Sequence, residues 1–372
     1  MTILLCTPFA KSSQANWGGI SVWANNIISY AERNGKEQGI QLFPVSFDRF
    51  HKVSLGMNPL LRIWYGYLDI RKAIKNTKKV LHRTNIDVIH VCSSASFSLL
   101  KDIYLLLLAK KHNKKIVFHY HFGLIPELKN KGNLEWLLLR FVAGHADNTI
   151  VMTMDSLHAL QDSELQRVSY LPNPITEVFG ATLSKWENIV ERVPGRIAYV
   201  GHIVPNKGVR EIVESCRSLD HVDIRLIGEA PSDTFVTTLN TMMNGAATGT
   251  TLSFIGKVPQ DDVVKELLST ELFIFPSYFE GFPNAILEAM ACGCPIIASN
   301  VGAIPEMLDI NDSPCGICIP SHDADALRKA IIVLRNDPEK RLELAKNAKH
   351  RVETEYNTNR IWQRLKEIWS ES

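Results

Sequence analysis

Ser277-Tyr-Phe-Glu-Gly-Phe-Pro-Asn-Ala-Ile-Leu-Glu-Ala-Met-Ala-Cys-Gly-Cys-Pro-Ile-Ile-Ala-Ser-Asn-Val-Gly-Ala-Ile-Pro-Glu306 carries two carboxylates, Glu280 and Glu288, on either side of a Gly-Phe-Pro turn. Ala285 to Met290 favour helix. Pro283 suits its first position, where a missing N–H and a fixed φ cost nothing, and Gly293 is placed to end it. Glu280 then lies in the loop before the helix, and Glu288 about a turn and a half inside it. A helix start presents N–H groups and a partial positive charge, which suits a phosphate. Carboxylates beside such a site would repel the anion itself and would grip hydroxyls attached to it. A phosphate flanked by sugar hydroxyls describes a nucleotide-sugar.

Outward from this stretch, short apolar runs alternate with amphipathic segments, the pattern of parallel α/β layers. Strands are predicted near 3–6, 41–45, 88–91, 116–119 and 149–152. A second set is predicted near 197–200, 223–226, 252–255, 272–275 and 296–298. A chain of 372 residues exceeds one ordinary core. The expectation is two doubly wound Rossmann-like domains, 1–178 and 179–355, with ligands at the carboxyl ends of their strands. The linker falls near 174–195, and a last helix, about 356–372, is expected to pack back on the first domain.

Composition is that of a globular protein, 45% hydrophobic and 22% charged. The start of the chain does not read as a signal peptide, and no apolar run is long enough to span a bilayer. Seven irregularly spaced cysteines fit a reducing cytoplasm. Residues 1–178 hold 21 Lys+Arg against 13 Asp+Glu, a net of +8, and the remainder nets −6. That asymmetry points the first half at an anionic surface. A helical projection of 60–83 gathers Leu60, Ile63, Trp64, Tyr67, Ile70, Ile74 and Leu81 on one face and Arg71, Lys75, Lys78, Lys79 and Arg83 beside it. Such a helix either packs its apolar face on the sheet or lies at a membrane interface.

Other residues carry candidate chemistry. Lys207, in a glycine turn between a strand and a helix, can pair with a diphosphate as a point charge. Gly18 and Gly19 follow the first strand and would let the backbone approach a ligand, without the full dinucleotide fingerprint. His119 and His121 fall on one side of the fourth strand, at the end that faces a ligand. A metal there would need a third ligand, and His90 reads as structural. Cys292, Cys294, Cys315 and Cys318 could hold zinc by number, but their apolar neighbours favour small buried side chains. Asp323 and Asp325 open a helix and read as caps.

Together these residues resemble the retaining glycosyltransferases of family 4, which have the GT-B fold. The resemblance covers almost the whole chain. Its strongest part is 275–299, supported by 201–208, 226–229, 254–258, 171–174 and 300–306. It implies that the second domain holds a nucleotide-sugar and the first the acceptor. Glu280 is then similar to the acid that contacts the donor sugar near the reacting carbon, and Glu288 to the ribose-binding acid. Backbone N–H groups of Phe282, Pro283's turn and Asn284 would meet the donor. Lys207 would neutralise the leaving diphosphate. The base would rest near Lys257 and Val258. His121 resembles the family's active-site histidine, hydrogen-bonding a donor-sugar hydroxyl, and Gly18 and Gly19 match a loop that approaches the phosphates.

One departure stands out. The family pairs its lysine with an arginine in Gly-Arg-Leu, and here the segment is Gly201-His-Ile, so His202 takes the place of a group that is always charged. The implied chemistry is front-face transfer with retention, from a UDP-sugar first, without a metal or other cofactor. The expected partners are that donor, a glycan or lipid-linked acceptor of surface polysaccharide or lipopolysaccharide type, and an anionic membrane, with no nucleic acid. The alternatives are a nucleotide-sugar epimerase of the same architecture and a non-catalytic sugar-nucleotide-binding protein.

Overall fold

The computed structural model describes residues 1–9, 19–47, 58–95, 98–309 and 312–371. Two compact units emerge, one of residues 1–173 with 361–372, the other of 174–360. The first unit ends at Asn173 rather than 178. Ile175 already belongs to the second, where its N–H donates to the Tyr356 carbonyl at 2.7 Å.

The first unit has a six-stranded parallel sheet. Its strands are β1 (Thr2–Thr7), β2 (Gln41–Ser46), β3 (Val88–Ser93), β4 (Lys115–Tyr120), β5 (Asn148–Val151) and β6 (Val168–Tyr170), in the order β2-β1-β3-β4-β5-β6. Its helices are α1 (Gly19–Tyr30), α2 (Pro59–Arg83), α3 (Ser98–Lys111), α4 (Ile125–Lys131), α5 (Leu134–His145) and α6 (Met154–Gln161). Strands β1 and β3 are buried on both faces, so they read as continuous apolar runs. One face packs Leu105, Leu106, Leu108, Trp136, Leu139 and Val142 under α3 and α5.

The second unit repeats the plan. Its strands are β7 (Arg196–Val200), β8 (Asp223–Ile227), β9 (Thr251–Gly256), β10 (Leu272–Phe275), β11 (Ile296–Ser299) and β12 (Ile317–Ile319), in the order β12-β11-β10-β7-β8-β9. Its helices are α7 (Glu177–Trp186), α8 (Val209–Cys216), α9 (Asp233–Met242), α10 (Gln260–Leu268), α11 (Asn284–Ala291), α12 (Ile304–Leu308), α13 (Ala324–Asn336) and α14 (Pro338–Glu355). The last helix, α15 (Thr358–Glu371), starts here and lies along the first unit. Its Ile361, Trp362, Leu365, Ile368 and Trp369 join α1 and the strands in the core on the opposite face from α3.

The doubly wound α/β expectation holds for both sheets. β6 and β12, three residues each, are additions. Each order reverses once, between β1 and β3 and between β7 and β10. In open parallel sheets ligands bind at that reversal, outside the strand carboxyl ends. Among the described residues no helix is long and apolar enough to cross a membrane.

Candidate functional site

The reversal in the second unit brings the loop after β7 beside the loop after β10. Lys207 ends a short 3-10 turn, Pro205–Lys207, and Gly208 follows at φ 69°. A Cβ on Gly208 would stand 1.9 Å from the Pro276 carbonyl oxygen, so only glycine lets the two loops close up. Tyr278 ties them again. Its N–H donates to the Asn206 carbonyl at 3.1 Å, and its hydroxyl donates to Glu211 of α8 at 2.5 Å. The His322 ring stacks on it at 3.5 Å.

This clamp sets Lys207 against Glu280, Nζ to Oε1 at 2.6 Å. The side chains are 26% and 11% exposed, so the pair is sheltered yet reachable. From the other side, Gly302 at φ 56° lies so close that a Cβ would meet the Glu280 carbonyl oxygen at 2.2 Å. The Ala303 N–H donates to the Gly281 carbonyl at 2.9 Å. A cation able to meet an anionic oxygen and a carboxylate able to accept from a hydroxyl thus stand side by side. Burial and then the Glu280 charge push the neighbouring Tyr199 phenol well up.

Pro283 proves to be the cap of α11 and not its first residue. Its ψ of 115° is extended, and the helix starts at Asn284. The positive end of α11 follows directly on the Glu280 loop. Glu288 lies in its second turn, partly buried, and burial lifts its carboxyl to about 7. Phe282 is buried, edge-on to Tyr356 at 5.6 Å. Lys257 and Val258 follow β9 at the same strand edge, Lys257 exposed. His202 is exposed in the turn after β7, where its carbonyl accepts from the Tyr199 hydroxyl at 2.9 Å. Tyr278 and Glu211 escape the sequence reading. Their signals are Tyr278's place two residues before Glu280 and Glu211's place four after Lys207.

In the first unit His121 follows β4, its N–H donating to the Ser93 carbonyl at 2.8 Å. It stacks near His119 at 4.0 Å and meets the Trp23 ring of α1 at 5.1 Å. Burial, with His90 nearby, holds its imidazole down at about 3, so it is neutral throughout the physiological range. Gly19 opens α1 with free space where a Cβ would go. Gly18 lies outside the described residues.

Among the described residues a different group, His90, Cys92 and His119, without His121, places ligand atoms within 4.8 Å of one another. The chemistry is poor for a metal. Trp369 Nε1 donates to His90 Nδ1 at 2.9 Å, which leaves the proton of a neutral ring on Nε2. Burial also raises the Cys92 thiol to about 12. Cys292, Cys294 and Cys315 are buried free thiols. Asp323 caps α13 through the Ala326 N–H at 2.8 Å.

Two family descriptions match consecutive parts of the chain: Glycosyltransferase Family 4 over residues 17–177 and Glycosyl transferases group 1 over 185–351. A relative from Campylobacter jejuni, N,N'-diacetylbacillosaminyl-diphospho-undecaprenol alpha-1,3-N-acetylgalactosaminyltransferase, is 30% identical over 186 residues, 50% of this chain. The matched part spans 46% of that enzyme, so the chain covers about half of its length. Among solved structures, sucrose-phosphate synthase from Thermosynechococcus elongatus superposes with a TM-score of 0.73 at 19% identity, over 100% of this chain and 98% of that one. Anabaena HepE in complex with UDP and glucose superposes with a TM-score of 0.70 at 17% identity, over 100% of both chains. The matches to both halves and the doubly wound units agree: the chain belongs to glycosyltransferase family 4, with the GT-B fold.

Proposed function

We propose that the protein is a retaining glycosyltransferase that moves a sugar from a nucleotide-sugar, a UDP-sugar first, to a glycan or lipid-linked acceptor. The observation that carries this reading is the Lys207–Glu280 pair at 2.6 Å, set at the sheet's reversal point beside the start of α11. Lys207 leaves Glu280 for the diphosphate when the donor binds, and Glu280 turns to the sugar hydroxyls. The cation and the helix end stabilise the departing charge, so a divalent metal is not needed. Glu288 accepts from the ribose. His121, neutral by burial, offers a hydrogen bond to a sugar hydroxyl. The Campylobacter relative is named for a diphospho-undecaprenol substrate and the Anabaena structure holds UDP. Both favour this choice of acceptor and nucleotide. The same reading places the enzyme on the cytoplasmic side, working on surface glycans.

A thermal-shift screen of nucleoside diphosphates and their sugars identifies the donor, since a ligand of the native state raises the melting point. Nucleotide release in chelator is then followed with and without lipid-linked acceptors. Glu280→Ala should lose transfer by a factor of roughly a hundred or more while binding UDP within a few-fold. Full transfer by that variant removes the assignment. Nucleotide release that ignores the acceptor favours the epimerase.

A further inference from the structure

Three neighbouring helices on one face of the first unit turn apolar side chains to the outside. Trp64 and Tyr67 of α2, Leu100 and Leu107 of α3, and Leu134 and Leu137 of α5 are between 48% and 69% exposed. The helices adjoin: Lys78 of α2 lies over the Tyr104 ring of α3 at 5.4 Å, and α3 packs on α5. Isolated exposed apolar residues are ordinary, but a shared band of them marks an interaction surface. The second unit gives a comparison within the molecule. Among its described residues α8 to α11 carry no exposed large hydrophobic residue, and those of its other helices, Val178 of α7, Ile332 and Val333 of α13 and Leu342 of α14, come without an aromatic ring among them.

The band has a polarity. Five of its six apolar members sit in the first halves of their helices, Leu107 standing further along α3, and exposed basic residues follow, Arg71, Lys75 and Lys79 on α2 and Lys110 and Lys111 on α3. Acids are scarce. α2 has seven Lys+Arg and a single acid, Asp69. The acid of α3, Asp102, is buried. Crossover helices start where strands end, so the apolar half lies at the strand carboxyl edge that bears His121. The inward-packing reading of 60–83 therefore covers only part of that helix. Ile74 and Leu81 are partly buried, while Trp64 and Tyr67 face out.

We propose that this band docks the first unit on an anionic phospholipid bilayer. The apolar half enters the interfacial layer, the lysines and arginines meet the headgroups, and the His121 edge is held toward the membrane. Charge selects the occupant, because a face this basic repels a second copy of itself. That the docked edge is where a lipid-borne acceptor arrives rests on the function proposed above. The docking does not, and it is measured without donor or acceptor.

The test is co-sedimentation of the full chain with phosphatidylglycerol-containing vesicles against pure phosphatidylcholine. Binding to the anionic vesicles should be roughly tenfold stronger or more and should fall as salt shortens the Debye length below about 10 Å. Leu100→Gln with Leu137→Gln should weaken it about tenfold at every salt concentration. Lys75→Glu with Lys79→Glu should weaken it mainly at low salt. All four side chains are exposed, so melting points should stay within a degree or two of wild type. Absence of sedimentation with anionic vesicles at low salt, or variants that bind like wild type, overturns the proposal. So does a lipid-free dimer that the leucine variant dissociates, which makes the face a contact between copies.

Discussion

Glu288 shows what burial does to a single acid. Its folded pKa, about 7, lies above the ordinary value of 4.5. The neutral carboxyl is thus favoured in the fold, and the stability it contributes is fully present below 4.5 and lost as pH rises through about 7. Glu288→Gln should match wild type near pH 4.5 and be more stable at pH 8, by on the order of 2 kcal/mol. Urea titrations of both proteins at the two pH values measure the difference, and an equal gap at both would contradict it. On the proposed function, a ribose hydroxyl donating to the ionised acid would oppose the shift, and nucleoside binding should then release a proton near neutrality. The places of Glu280, Glu288 and Lys207, in a loop, a helix and a turn, could be read from the sequence because they are set locally. The His90–Trp369 bond could not, because its partners are separated by 279 positions. Only the folded core brings them together.

At the scale of elements, the loops after β7 and β10 act as one part. Gly208 is the joint, with its left-handed backbone and the Pro276 carbonyl where a Cβ would go. Gly208→Ala should lower stability by about 2 kcal/mol or more, since both the conformation and the contact resist a side chain. On the proposed function it should also weaken nucleotide binding, by moving Lys207 away from the place where it would meet the diphosphate. Calorimetry and UDP titration read the two effects, and a variant with unchanged melting would show that the loops are not clamped there. The long strands were legible as apolar runs. Val168-Ser-Tyr170 and Ile317-Cys-Ile319 were too short to stand out, and they exist because a neighbouring strand offers them an edge. The projection of α2 found its faces but not what covers them, since cover comes from α3 and the sheet.

At the scale of the molecule, the first unit is discontinuous. Trp362 donates to Gln38 at 2.9 Å and Trp369 to His90, and both rings are buried. Trp369→Ala should cost about 3–5 kcal/mol, from a large cavity and a lost bond to a buried imidazole. Denaturant unfolding followed by tryptophan fluorescence should show the first unit's transition moving to lower denaturant while the second unit's stays. A shift of both together would mean that the units unfold as one. The fold class of both units could be read in advance, because alternation of strand and helix is local. The boundary near Asn173 was less legible, because it depends on what Ile175 pairs with.

The return of α15 also has a consequence for how the chain is made. A ribosome delivers β1 and α1 well before the helix that covers them, with all of residues 174–360 in between. At about 5–20 residues per second, the stretch from the end of α1 to the end of α15 takes roughly fifteen to seventy seconds. Throughout it Trp23, Ile27 and Tyr30 lack their cover. The nascent first unit therefore exposes this apolar face to its surroundings until α15 has emerged.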